Sequence, residues 1–481
     1  MATFFWHDYE TFGADPARDR PAQFGGLRTD EALNPIGEPV SFYCQPSDDS
    51  LPHPQACLIT GISPQHCQRE GVPEHAFAAQ VLEHLQVPGT CAVGYNSIRF
   101  DDEVTRHLLY RNFMDPYGRE WQNGNSRWDL IDVMRLAHAL RPEGVVWPEV
   151  EGVVSFRLEA LTAANHLKHE SAHDALSDVY ATLELAKLLR EHQPKLFGFA
   201  YSQRSKHSLK PLIDLQQRKP LFHVSSKIPA TQGCCAMVLP LAWHPVNPNG
   251  VIVFDLRHDP SELASLTADQ ICDRLFRSTE EIEKDGQARL PLKVVHLNKC
   301  PILVTPSILK TVPKERLNRF GLDGEVLRAH LANARQLPDL TAKLAEVFRE
   351  PDAQETLDPE LALYSGGFFS DRDRQLMQQV HRLSPEDLAS FEFNFQDARL
   401  STLLFRYRAR NFPETLSEEE MEQWEYYRYQ RLTGGVDPGI LGFEAFFEEI
   451  ERLKCTGGLT PAQQEMMDSL KYYGESIIPM G

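Results

Sequence analysis

The order of hydrophobic periods along this chain of 481 residues predicts an α/β fold, followed by an α+β segment and an all-helical end. Short apolar runs alternate with amphipathic helical patterns over residues 1–195. Strand-like runs mix with helical pieces over 203–350, and from 355 onward only helical spacing remains. A chain of this length exceeds one ordinary core, so the segments 1–195, 203–350 and 355–481 are taken as domains. Hydrophobic residues, at 42%, suffice to fill such cores and exclude a disordered chain.

The elements follow in order. The run FFW makes Thr3–Tyr9 a buried strand, and Phe24–Thr29, Val40–Tyr43 and Cys91–Tyr95 read as further strands. Helices are expected at Glu74–Leu85, Asp101–Arg111, Leu130–Leu140, Arg157–Asn165 and Ala175–His192. The last rests on an apolar stripe of Ala175, Leu176, Val179, Leu183, Ala186 and Leu189. In the middle segment strands are expected at Ala236–Leu241, Val251–Leu256 and Leu292–Leu297. The last segment carries helical patterns at Asp371–Arg382, Leu403–Asn411, Glu418–Tyr429, Phe443–Lys454 and Pro461–Tyr473. There is no internal repeat and no low-complexity stretch.

Three stretches carry acidic chemistry. In HDYET, Asp8 and Glu10 are two residues apart at the end of an apolar strand, so their side chains share one face. Adjacent carboxylates repel and are costly to desolvate, and a hard cation with oxygen ligands relieves both costs. A solvated strand end running into a turn at Thr11 and Gly13 is the plainer alternative. In GYNSIRFDDEVTR, Asp101 opens a helix, where it serves either as an N-cap or as a ligand, while Asp102 and Glu103 suit the helix dipole. In SAHDALSDVYATLELAKLL, Asp178 lies within the apolar stripe, where a carboxylate needs a partner. His173 stands at the first turn, either over the site or as a surface histidine, and Asp174 is a candidate N-cap.

The order D-x-E, a later Asp opening a helix, then H-x-x-x-x-D resembles the DEDD superfamily of exonucleases in its histidine branch, since Asp174 occupies the place where the tyrosine branch carries Tyr. The strings HDYETFG, DRPAQF, GYNSIRFDDEVTR, NSRWDL, ALRPEG, SFRLE, LAWHP, HLNKCP and FRYRARNFPETL resemble the bacterial exonuclease I family along most of the chain, more loosely after about Gly434. The resemblance implies a ribonuclease H-like mixed sheet in the first domain, an SH3-like barrel in the second and a helical C-terminal domain. It implies 3′→5′ degradation of single-stranded DNA to 5′-mononucleotides, with a role in DNA repair and recombination. Asp8, Glu10, Asp101 and Asp178 would hold two Mg²⁺ ions, with Mn²⁺ as a substitute and Asp8 bridging both, and His173 would take the proton from the attacking water. Thr11 and Phe12 would contact the terminal nucleotide.

Gripping a single strand without reading its sequence calls for cations along the backbone and aromatic faces for the bases. Candidate faces are Phe100, Trp121, Trp128 and Trp243, each with core packing as the plain alternative. Lys206, Arg218, Lys219 and Lys227 are candidate phosphate contacts. Arg127 and Arg157 either touch phosphate or brace the metal ligands. The formal net charge of −19 does not oppose this reading, because charge is segregated. From Lys195 to Lys227 seven cations face the single Asp214, whereas EEEMEQWE and FEAFFEEIER make the region from Pro413 to Arg452 acidic. The resemblance also implies docking of the acidic C-terminal tail of the single-stranded-DNA-binding protein at Arg141, Phe199 and Lys310, with Arg319 and Arg335 extending a basic rim. Phe199 stands where the family carries tyrosine.

No apolar run approaches a membrane span, and the start MATFFWHDYE lacks the basic and long apolar parts of a secretory signal. Nine scattered cysteines show no zinc spacing and suggest a reducing compartment, so a cytoplasmic location is expected; a monomer is expected as well. Two other functions are compatible with the site: an RNA-trimming exonuclease of the same branch, disfavoured by the long C-terminal extension, and an inert strand-binding or partner-docking protein, disfavoured by the presence of all five site residues.

Overall fold

A computed structural model describes residues 2–169, 173–349 and 358–479. The chain forms two compact units. The first comprises residues 1–126, 169–183 and 355–481, and the second 127–168 and 184–354. Strand Ser126–Asp129 and helix Ala175–His192 each begin in the first and end in the second.

Strands β1 (Thr3–Thr11), β2 (Pro21–Thr29), β3 (Val40–Tyr43) and β4 (Thr90–Gly94) build the sheet of the first unit in the order β3-β2-β1-β4. β1 is antiparallel to β2 and parallel to β4, so the sheet is mixed. β1 and β2 run longer than their apolar cores suggest, because ladder pairing continues to Glu10↔Gln23 and Thr11↔Pro21 beyond the hydrophobic residues. Helices Glu74–Leu85 and Asp101–Arg111 fall where periodicity places them. They bury Phe77, Val81, Val104 and Leu108 against Phe5, Tyr9 and Phe24 of the sheet. Two proline-started helices, Pro54–Thr60 and Pro64–Glu70, are too short for a periodic signal and were not anticipated.

The C-terminal helices complete this unit. Helices Phe443–Thr456 and Pro461–Ser476 put Phe446, Ile450, Met467, Leu470 and Tyr473 into one core with Phe12, Ala22, Leu51 and Cys57. Helix Ala398–Asn411 puts Leu400, Leu403 and Tyr407 with Tyr110 and Phe113. Between these cores lies a buried ion-pair network. Arg410 bonds Asp49 at 2.7 Å and Glu360 at 2.6 Å, Arg20 bonds Glu360 at 3.0 Å, and Arg111 bonds Glu74 at 2.8 Å. Burial alone would raise the Asp49 carboxyl, but Arg410, Arg431 and Arg20 overcome it and hold that group well below the usual range. Burial opposes Glu74 in the same way, and Arg111 and Arg20 bring it to about 2.

In the second unit, β5 is the boundary strand Ser126–Asp129, and β6 (Glu149–Val150) and β7 (Val153–Val154) form a small hairpin. β8 (Leu221–Val224), β9 (Cys235–Trp243), β10 (Gly250–Asp255), β11 (Leu292–His296) and β12 (Ile302–Val304) form a five-stranded sheet in the order β11-β10-β9-β8-β12, its pairs antiparallel. Three of these strands were expected; β8 and β12 are runs of four and three residues, too short to stand out. Among the described residues no helix is long and apolar enough to cross a membrane, and beyond residue 358 there is no strand.

Candidate active site

The acidic residues reach one another through backbone geometry. On β1, His7 and Tyr9 turn into the core, so alternation places Asp8 and Glu10 together on the other face. Asp101 is the first residue of helix Asp101–Arg111, and the capping position is taken by Phe100, which makes no side-chain cap bond. The Asp101 carboxylate instead accepts the backbone N–H of Tyr9 at 3.1 Å, between Asp8 and Glu10. The N-cap alternative is therefore set aside: Asp101 ties the helix start to the acidic strand. The Thr105 and Tyr9 hydroxyls, 3.0 Å apart, repeat the tie one turn on.

Helix Ala175–His192 delivers the fourth carboxylate. Asp174 does cap this helix, accepting the Ser177 N–H at 3.0 Å. Gln23 of β2, opposite Glu10, donates to Asp174 at 2.9 Å and accepts the Ala175 N–H at 3.2 Å. Gly25, opposite Asp8, lets the helix start lie on the strand. A Cβ there would stand 2.6 Å from the Ala175 carbonyl carbon and the Leu176 nitrogen. Asp178, one turn in, comes onto Glu10 as a result. Ligand atoms of Glu10, His173 and Asp178 all lie within 4.8 Å of one another. His173 takes a left-handed backbone, φ +67°, which turns its side chain toward this group. Asp178 is half-buried rather than sunk in the apolar stripe.

The electrostatics fit a cation. Burial first, and then Asp101, Glu10 and Asp178, raise the Asp8 carboxyl well above its usual range. Burial and then Asp178 and Asp101 push Glu10 up to about 8. Burial raises Asp178 too, against the hydrogen bond from His169 and the charges of His169 and His173. Four mutually repelling oxygen donors beside one imidazole form the donor set a hard divalent cation takes.

The other sequence-chosen residues divide. Thr11 is buried, its hydroxyl donating to the Gly13 carbonyl at 2.6 Å. Phe100 is half-buried beside Asp101, partly packed on the sheet core. Arg157, Lys219 and Lys227 are exposed, Lys219 pairing with Asp214 at 2.9 Å. Three assignments are corrected. Phe12 sends its ring into the core with Leu432 and Phe446, so it offers no face to a nucleotide. Trp128 is 2% exposed, with Phe197 and Tyr201 edge-on at 5.0 and 5.3 Å, and so packs rather than stacks on a base. Arg218 donates to the carbonyls of Ala334 and Pro338, closing the end of helix Gly324–Gln336. Arg127 is buried, its guanidinium donating to the Asn298 carbonyl at 2.9 Å. Trp121 is 66% exposed. Trp243 is half-buried under Lys210. Arg141 donates to the Thr311 hydroxyl, next to the exposed Lys310, and Phe199 is 36% exposed.

Sequence reasoning missed Gln23, Gly25 and His169. The first two had a legible sign, a polar residue and a glycine two apart in the strand-like run AQFGGL. His169 had none, since its bond to Asp178 depends on tertiary placement that no motif or periodicity signals.

A mixed sheet whose central strand presents carboxylates to a helix-borne Asp and a histidine defines a nuclease-type site, and a family model described as Exonuclease matches residues 5–186. Two more models, Exonuclease I SH3-like domain and Exonuclease I C-terminal domain, match residues 204–350 and 357–477. Exodeoxyribonuclease I of Escherichia coli (strain K12) is 45% identical over 479 residues, 99% of this chain and 98% of that protein. The solved structure of a moderately thermophilic exonuclease I from Methylocaldum szegediense superposes with a TM-score of 0.94 at 47% identity, covering 99% of this chain and all of that one. The zinc-ion-bound form of an E. coli exonuclease I complex with single-stranded DNA gives 0.93 at 44%, with the same coverage. This chain belongs to the exonuclease I family.

Two outcomes follow from the site. Gly25→Ala forces the helix start off β2 and shifts Asp178. A displacement of this kind is expected to cost on the order of 100-fold in nuclease turnover with the fold retained, and an unimpaired variant would remove Gly25 from the account. The raised Glu10 group sets a pH trend in metal-free protein. The folded state keeps a proton that the unfolded chain releases, so stability falls as pH rises from 4.5 through about 8. Melting curves in chelator should show that decline, and divalent cation should abolish it. Identical profiles with and without cation would speak against a metal centre.

Proposed function

We propose that this protein is a 3′→5′ exonuclease that removes 5′-mononucleotides processively from single-stranded DNA and uses Mg²⁺, with Mn²⁺ able to replace it. The convergence of Asp8, Glu10, Asp101, His173 and Asp178 carries the reading, supported by the family. A relative whose DNA complex holds zinc supports a divalent-cation site.

A phosphodiester repels an attacking hydroxide and parts from a poor leaving group. Bound divalent cations neutralise phosphate charge and acidify water. The chain's own residues do the rest. Asp8, Glu10, Asp101 and Asp178 would hold the ions. A ring nitrogen of His173 accepts the proton from the nucleophilic water as its oxygen bonds to phosphorus, the bond from phosphorus to the 3′-oxygen breaks, and that oxygen takes a proton from solvent to leave as a hydroxyl. Phe100 and Thr11, flanking Asp101 and Glu10, position the terminal nucleotide, and Arg157, Lys219 and Lys227 contact phosphates. Asp8→Ala is expected to abolish hydrolysis of end-labelled single-stranded DNA while strand binding, itself steeply salt-sensitive, survives. Near-normal cleavage by that variant with Mg²⁺ would refute the site. Parallel RNA substrates, cleaved equally well, would overturn the preference for DNA.

The same reading makes the protein a monomer of the bacterial cytoplasm that docks the acidic tail of the single-stranded-DNA-binding protein on Arg141, Phe199 and Lys310. Support comes from the hydrogen bond of Arg141 to Thr311 beside Lys310, which gathers two cations, and from the exposed ring of Phe199. Removing one desolvated charge contact should weaken a labelled tail peptide roughly 10-fold or more in Arg141→Ala. Unchanged affinity would place the tail elsewhere.

A further inference from the structure

We propose that His169 is a positioning residue for the metal ligand Asp178, a role that rests on the metal-dependent reading above. Its Nε2 hydrogen-bonds Asp178 Oδ1, and the two side chains are 7% and 16% exposed. His169 lies outside the D-E-D-H-D pattern, nine residues before Asp178 and ahead of helix Ala175–His192. Its bond therefore comes from the loop side of the helix start.

The need for such a bond follows from the site. Asp178 points at Glu10 and feels Asp8 and Glu10 as like charges. Its carboxyl group turns on a broad, nearly two-fold torsion, which the backbone N–H of His173 and the His169 ring restrain together against the repulsion of its acidic neighbours. The ring is the side-chain donor of that pair, so removing it loosens the torsion of a carboxylate whose ligand atom lies within 4.8 Å of those of Glu10 and His173. The bond requires Nε2 to carry the proton, which makes His169 a donor when neutral as well as when charged. Groups that hold a metal-binding carboxylate in this way typically contribute about 10–100-fold to metal affinity. The rival account is that His169 occupies the place a cation takes on Asp178, in which case removing it frees the site.

The experiment is direct titration of Mn²⁺ into the full-length protein without DNA, followed by the electron-paramagnetic signal of free Mn²⁺. His169→Ala and His169→Phe both remove the donor, and the second keeps a ring, so one folded variant suffices. Both should bind Mn²⁺ roughly 10–100-fold more weakly. His169→Gln, which retains a side-chain N–H, should recover most of the loss, a rescue that a purely space-filling role does not give. Binding by the donor-less variants as tight as wild type, or tighter, overturns the proposal, as does an equal loss in His169→Gln. Asp8→Ala separates the two levels of the argument: if it also leaves Mn²⁺ binding intact, the metal-site reading fails, whereas its loss beside an unaffected His169→Ala removes only the role of His169.

Discussion

Asp8, Glu10, Asp101 and Asp178 repel one another, and the architecture around them holds that repulsion in place. Two of them cannot separate because β1 alternation fixes them on one face, between an antiparallel and a parallel neighbour. Asp101 is tied by a backbone hydrogen bond from the residue lying between those two. Asp178 arrives because Gln23 bonds the start of its helix and Gly25 leaves room for it. The free energy stored in raised carboxyl groups is released when a cation binds, which ties the stability of this unit to the chemistry of its site.

The C-terminal region serves the same unit. Its helices fill cores begun by Phe12, Ala22, Tyr110 and Phe113, residues that flank the acidic strand and end the Asp101 helix. Its arginines turn inward to Asp49, Asp358 and Glu360. A buried pair of this kind gains little over an apolar substitute, but losing one partner strands a charge, so the network fixes how these segments fit. It also explains the acidic surface. With Arg406, Arg410 and Arg431 spent inside, helix Glu418–Leu432 leaves Glu418, Glu419 and Glu422 in solvent, where they disfavour a polyanion.

Phe12 and Trp128 show where motif reading overreaches. Each lies within a conspicuous string, HDYETFG or NSRWDL, and an aromatic there invites a nucleotide contact. The structure gives both rings to the core, because a large apolar side chain in or beside a buried strand gains more from desolvation than from a half-wet ligand face.

Periodicity was enough to locate the long helices. Glu74–Leu85, Asp101–Arg111, Leu130–Leu140 and Ala175–His192 stand where apolar spacing puts them, since a long amphipathic stripe has one way to bury itself. Asp8, Glu10, Asp101, His173 and Asp178 stood out in the sequence through their motif order, since each alone also had a plain structural use, as a strand end, a cap or a surface group. Strands of three or four residues did not, because pairing across the sheet rather than composition makes them strands. Nor did the sequence show that Asp101 bonds the Tyr9 N–H rather than capping its own helix, or reveal the contacts of Gln23, Gly25 and His169. Those assignments depend on which backbone groups from distant parts of the chain come within bonding distance, and only tertiary packing decides that.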